Sequence, residues 1–137
     1  MPHFTLLETP FDKQNSDTTF VGILDGENCK TLDNFYLSIA KTLHFPDYFA
    51  QNLDSMDELL NDLSWLNPKT IYLIIRNYED LLIEENEEVK EIILSLFDAA
   101  AEEWKEFGKG DKKLKFVIEN SPTAAEELDA IGVEFKE

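Results

Sequence analysis

The chain has 137 residues, with 29 Asp and Glu against 12 Lys and Arg, and a formal net charge of -17 at pH 7. That balance opposes binding to nucleic acid or to an anionic membrane, because both need a basic surface that displaces counterions. It favours a cationic partner and salt-sensitive association, with plain solubility as the competing reading.

Hydrophobic residues make up 43% and aromatic residues 12% of the chain, enough for a core, and the length suits one domain over residues 1–137. Cys29 is the only cysteine. It allows no intrachain disulfide and no cysteine-based metal site, and it suits a reducing compartment. The start, Met1-Pro2-His3-Phe4-Thr5, has no basic region followed by an apolar run. No apolar run approaches the roughly 20 residues needed to span a bilayer. A cytoplasmic protein is expected.

In chain order, His3 to Leu7 is compatible with a short strand. Glu8 to Thr19, with Pro10, Asn15, Ser16 and Asp17, reads as a loop. Phe20 to Leu24 reads as a strand stopped by Asp25-Gly26. Thr31 has the chemistry of an N-cap, with Asp33 in the first turn. Leu32, Phe35, Tyr36, Ile39, Ala40 and Leu43 recur at helical spacing, so a helix is expected from about Leu32 to His44, ended by Pro46. Asn52 is the next cap, and its helix is expected to run to about Trp65. Thr70 to Arg76 is a β-branched and aromatic run without alternation, as in a strand buried on both faces. A loop or short helical turn follows from Tyr78 to Asn86. Val89, Ile92, Ile93, Leu96, Phe97, Ala100, Trp104 and Phe107 mark one face of a long helix that Gly108 and Gly110 are expected to stop. Leu114 to Ile118 is the next strand. Ser121-Pro122 opens a last helix closed by Gly132, and Val133 to Phe135 is compatible with a final strand. Strands alternating with helices imply an α/β fold with a mainly parallel sheet covered by helices.

The stretch from Phe45 to Pro68 stands apart. It holds five acids (Asp47, Asp54, Asp57, Glu58, Asp62) and no Lys or Arg. At 100° per residue, Leu53, Met56, Leu59, Leu60 and Leu63 share one side of its helix, while Asp54, Asp57, Glu58 and Asn61 share the other. Asp54 and Glu58 are neighbours at i and i+4. Phe45, Tyr48 and Phe49 cluster in the turn before it. Ordinary solvation of a polar helix face explains the acids; unanswered charge beside aromatic anchors also fits an interface with a basic protein.

These residues resemble a known family. Asp47-Tyr48-Phe49-Ala50-Gln51-Asn52-Leu53-Asp54, followed by Asp57-Glu58-Leu59, is similar to the signature of the barstar family of ribonuclease inhibitors. Leu24-Asp25-Gly26, the helix from Lys30 to Leu43, Phe45-Pro46 and Arg76-Asn77-Tyr78-Glu79 sit at matching intervals, so the likeness covers about residues 20–119. It implies a small three-stranded parallel β-sheet packed with α-helices, with residues 1–19 and 120–137 as extensions. It also implies a bacterial immunity or antitoxin role, in which a basic ribonuclease is blocked in a one-to-one complex. The resemblance matches Tyr48 to an aromatic that packs on the nuclease, and Asp54 and Glu58 to acids that meet its phosphate-binding cations. The expected contact set is Tyr48, Phe49, Gln51, Asn52, Asp54, Asp57, Glu58 and Asn61. Ala50 stands where the family usually has Gly, Asp57 where its best-known member has a bulky aromatic, and Glu58 where that member has Asp.

Neither a cofactor nor a metal is expected, because Asp54 and Glu58 have no further ligand set beside them. An exposed helix face offers no cleft for acid–base catalysis, so the chain does not read as an enzyme. Gly108-Lys109-Gly110 lacks the spacing of a phosphate loop. The acidity is not confined to one helix: nine acids and two lysines lie between Glu84 and Glu106. An acidic module that sequesters another cationic protein, in imitation of nucleic acid, is therefore the alternative.

Overall fold

The computed structural model describes residues 2–107 and 112–137. The helix stop expected at Gly108 and Gly110 lies outside them. The elements in chain order are β1 (Phe4–Leu7), β2 (Thr19–Asp25), α1 (Leu32–Thr42), α2 (Leu53–Leu60), β3 (Thr70–Arg76), α3 (Glu87–Phe107), β4 (Lys113–Glu119), α4 (Ala124–Ala130) and β5 (Phe135–Lys136). Short 3-10 turns occupy Gly26–Asn28 and Tyr78–Asp80.

Local chemistry sets the helix starts. Thr31 Oγ1 accepts the Asn34 N–H at 3.2 Å, and Asn52 Oδ1 accepts the Ser55 N–H at 2.8 Å, each satisfying one orphan donor of a first turn. α4 begins later than the Ser-Pro signal implies. Ser121 Oγ accepts from the N–H groups of Thr123 and Ala124, but the helix proper starts at Ala124. Gly132 closes it with a left-handed φ of 75° and an N–H bonded to Asp129 O at 3.1 Å.

The sheet has five strands, not the three that the resemblance implied. Their order is β2-β3-β4-β1-β5, and every neighbouring pair is parallel. Both extensions supply the difference. β1 pairs along the free edge of β4, with Phe4 opposite Phe116, and β5 pairs along β1, with Phe135 opposite Phe4. Phe4 is fully buried and stacks on Phe116 at 4.9 Å, and Phe116 stacks on Phe97 of α3 at 4.8 Å. A sheet ending at β4 would leave that aromatic stack and a row of backbone groups open to water.

One face of the sheet carries Phe4, Leu24, Ile71, Leu73, Ile75, Leu114, Phe116 and Ile118, all buried, and these form one cluster with buried residues from each of the four helices. The other face is treated differently from the helix-covered layer that alternation implies. Ile74 and Val117 there are closed off, yet Ile23 is 45% exposed. The segment between β1 and β2 crosses this side: the Phe11 ring lies 4.8 Å from that of Tyr72, and the Phe11 N–H donates to the Glu119 carboxylate at 2.6 Å. Buried Glu119 is answered again by Arg76 Nε at 2.8 Å. The same segment seals the edge of β2. Asn15 accepts from the Val21 N–H at 2.9 Å and donates to the Val21 carbonyl at 3.3 Å. Ser16 does the same for Thr19, and Thr42 Oγ1 donates to Ile23 O at 3.1 Å.

At the end of β2 the chain turns through Gly26, where a Cβ would lie 2.1 Å from the Asn77 carbonyl oxygen; only glycine fits. The extensions are part of the packed core, so Phe4→Ala should destabilise the chain by about 3–5 kcal/mol in urea unfolding, as for other buried phenylalanines. A loss below about 1 kcal/mol would mean that β1 is only appended to the sheet.

Candidate protein-binding surface

α1 ends at Thr42, and His44 then takes a left-handed φ of 55° while the Phe45 N–H returns to Ala40 O at 2.8 Å. The chain enters the turn from 45 to 52. Phe49 N–H donates to Pro46 O at 3.1 Å, Ala50 N–H donates to Ser55 Oγ at 3.0 Å, and Asn52 caps α2. The turn and the first helical turn thus hold each other. The residue with positive φ is Gln51, at 53°, so Ala50 needs no glycine in this turn.

The aromatics divide. Phe49 is half-buried, edge-on to Tyr36 (ring centroids 5.9 Å apart) and to Phe45 (5.0 Å), and Phe45 meets Trp65 at 6.0 Å. Tyr48 stays outside that cluster, 70% exposed.

α2 is shorter than its periodicity suggests, ending at Leu60 rather than near Trp65. The cause lies far along the chain. Trp104 Nε1 of α3 donates to Leu60 O at 2.8 Å, and Lys112 Nζ donates to Leu63 O and Leu66 O at 2.6 Å each. Leu63 itself has a left-handed φ of 45°. Partners from outside the helix therefore take the carbonyls of its last turn and beyond, and the chain turns away. Trp65 Nε1 likewise donates to Leu43 O, just past the end of α1, at 2.8 Å.

The apolar side of α2 is buried at Met56, Leu59 and Leu60, with Leu53 half-buried. On the other side Gln51, Asn52, Asp54, Glu58 and Asn61 are exposed, and Asp57 is half-buried. Asn61 Nδ2 donates to Asp57 O at 2.8 Å and to Asp57 Oδ1 at 3.2 Å, so these two side chains are tied to each other. Asp54 and Glu58 make no ion pair or side-chain hydrogen bond among the described residues. Asp62 differs. Burial pushes the Lys112 ammonium below its usual range, and the Asp62 carboxylate beside it pulls it back up. Lys112 is a counter-charge that the acid count from Phe45 to Pro68 could not reveal. The surface is thus an acidic helix face with an aromatic ring at its N-terminal end, held in place from behind by two indoles and an ammonium.

Among the described residues no group of three or more His, Cys, Asp or Glu is placed to hold a metal ion. Cys29 is buried, and burial pushes its thiol up, away from the reactive thiolate. No helix among the described residues is long and apolar enough to cross a membrane.

Structural and exposed residues should separate in stability. Asn52→Ala removes a cap and Trp104→Phe removes the bond to Leu60 O, so each should cost about 1 kcal/mol in denaturant unfolding. Asp54→Asn and Glu58→Gln should change stability by less than about 0.5 kcal/mol, because they relieve an i, i+4 repulsion and break no contact.

A search of curated proteins finds no match to this chain. Among solved structures, the ORC2 protein of Aeropyrum pernix, in ADPNP–ADP complexes, is similar with a TM-score of 0.53 at 14% identity. The likeness covers 88% of this chain and 32% of that one, and it is a likeness of fold alone. The family model described as Barstar (barnase inhibitor) matches residues 19–121. That family is one of ribonuclease inhibitors and not of enzymes. The match spans most of the sheet, α1 to α3 and the whole acidic surface, and the chain belongs to the barstar family.

Proposed function

We propose that this chain is a non-enzymatic inhibitor that covers the active site of a small basic ribonuclease with α2 and the turn before it. The observation that carries the reading, beside family membership, is the free pair Asp54 and Glu58 next to an outward Tyr48. A ribonuclease site gathers Arg, Lys and His to hold phosphate. Two carboxylates one helical turn apart can take the phosphate's place, since arginine pairs with a carboxylate through two parallel hydrogen bonds. Tyr48 supplies a broad ring for the partner to close over, and Phe49 anchors the turn that presents it. Gln51, Asn52, Asp57 and Asn61 complete the contact, with Asp57 and Asn61 acting as one unit. The net charge of -17 draws the basic partner in from a distance.

In this reading the whole chain acts as one barstar-like domain, a monomer in a one-to-one complex. Its place is a reducing cytoplasm, in an immunity or antitoxin role.

Immobilised at low salt, the protein should retain a small basic ribonuclease and abolish its cleavage of RNA, with affinity falling as salt rises. Asp54→Lys and Glu58→Lys should each weaken inhibition about 100-fold or more, because each leaves cations of the nuclease unanswered at the interface. Glu103→Lys, on the exposed side of α3, should have little effect. Equal losses at all three positions would replace the inhibitor reading with that of a diffuse acidic mimic, and failure to retain any ribonuclease would remove it.

A further inference from the structure

Between α4, the first half of α3 and the loop from Leu81 to Glu85 runs a groove of about 530 Å³, within the range that ligand and peptide pockets occupy. Its wall includes Glu126, Glu127 and Ala130 of α4, which follow the residues matched by the family model. The groove is therefore walled on one side by residues beyond the match, and it does not depend on the inhibitor reading.

The groove has an apolar base. Leu82 and Leu94 are buried in it, and Ile83, lining the same groove, is 60% exposed. The backbone is strained at this point. Leu82 holds a left-handed φ of 58°, kept there by its N–H bond to Cys29 O at 2.7 Å. Such a conformation is unfavourable for a leucine, whose Cβ crowds the following carbonyl. It leads directly into an isoleucine turned to water.

The rim is acidic, and its cation is already engaged. Lys90 Nζ lies 3.1 Å from Glu127 Oε1, 3.3 Å from Tyr78 O and 3.8 Å from the centre of the Tyr78 ring. Glu79 accepts from the hydroxyls of Ser121 and Thr123, and Glu85 accepts the Leu32 N–H. Burial works to raise the Glu79 carboxyl, but those hydroxyls and backbone donors outweigh it and hold the group below its usual range. Three carboxylates remain without a partner among the described residues: Glu87 and Glu91, one turn apart on α3, and Glu126 on α4.

We propose that this groove is a second docking site, which takes a cationic amphipathic segment of a protein partner. An apolar side chain of the segment lies against Ile83 and the leucine base. Lys or Arg residues flanking it reach Glu87, Glu91 and Glu126. The charge complementarity selects the occupant: an anionic ligand is repelled, and the described carboxylates do not converge as a metal site would.

The test titrates the full chain, at physiological ionic strength, into a short fluorescent peptide of Lys and Leu at helical spacing, read by anisotropy. Saturable binding is expected. Ile83→Ser and Glu126→Lys should each weaken it about tenfold, as should replacing the peptide's leucines with serine. Asp54→Lys, on the α2 surface, and Glu103→Lys should leave it unchanged, with circular dichroism confirming that every variant is folded. Three results would each overturn the proposal: no saturable binding, indifference to Ile83→Ser and to the serine peptide, or a loss with Glu103→Lys equal to that with Glu126→Lys. A loss confined to Asp54→Lys would also overturn it and would assign the peptide to the α2 surface.

Discussion

The stack of Phe4 on Phe116 on Phe97 fixes where the rest of the chain goes. It joins the first strand, a central strand and the longest helix through rings that lie nearly flat on one another. Once α3 is set on β4 by this contact, Trp104 is set too, two turns further along the same face of the helix. Its indole meets the last carbonyl of α2, and Lys112, just before β4, meets the two carbonyls beyond. The position of the acidic helix is thus inherited from the sheet through a few directed bonds. A surface fixed in this way loses little side-chain or backbone freedom on meeting a partner, and pre-organisation of that kind favours affinity without adding area.

The acidity has two distinct characters. Inside and near the sheet's carboxyl edge, three acids have found an answer: Glu119 with Arg76, Glu79 with two hydroxyls, Glu127 with Lys90 and the Tyr78 hydroxyl. No described buried side-chain polar atom lacks a hydrogen-bond partner. On α2 and around the α3–α4 groove, Asp54, Glu58, Glu87, Glu91 and Glu126 have none among the described residues. With 29 acids against 12 Lys and Arg, the internal network uses cations where burial makes an unpaired charge costly. The remainder of the field points to water, and to whatever cationic surface arrives there.

What could be read from the sequence was set locally. Thr31 and Asn52 cap the helices they were expected to cap, because a cap needs only a side chain and an N–H a few residues on. The strand from Thr70 to Arg76 matches its β-branched run at both ends. The early end of α2 was hidden, since the groups that end it come from Trp104 and Lys112, far along the chain. The left-handed residue at Gln51, rather than at Ala50, carried no signal either; neighbouring bonds fix it, not propensity. β1 and β5 were legible only as short apolar runs, because their reason for being strands is the open edge of β4. At the candidate surface, the wheel separated buried leucines from outward acids. It could not show that Asp57 is held by Asn61 or that Asp62 has a lysine beside it.

The side-chain amide of Asn15 offers β2 one donor and one acceptor at the spacing of a peptide group, and Ser16 and Thr42 serve the positions on either side. These three residues do for the strand what a sixth strand would do, without presenting a new edge of their own. Sheet growth therefore stops at β2, although its core is as apolar as that of strands which zip together between molecules. A protein arriving at this side finds no row of amides and carbonyls to extend. Anything that recognises the chain here has to read side chains, one by one, rather than the backbone that all proteins share.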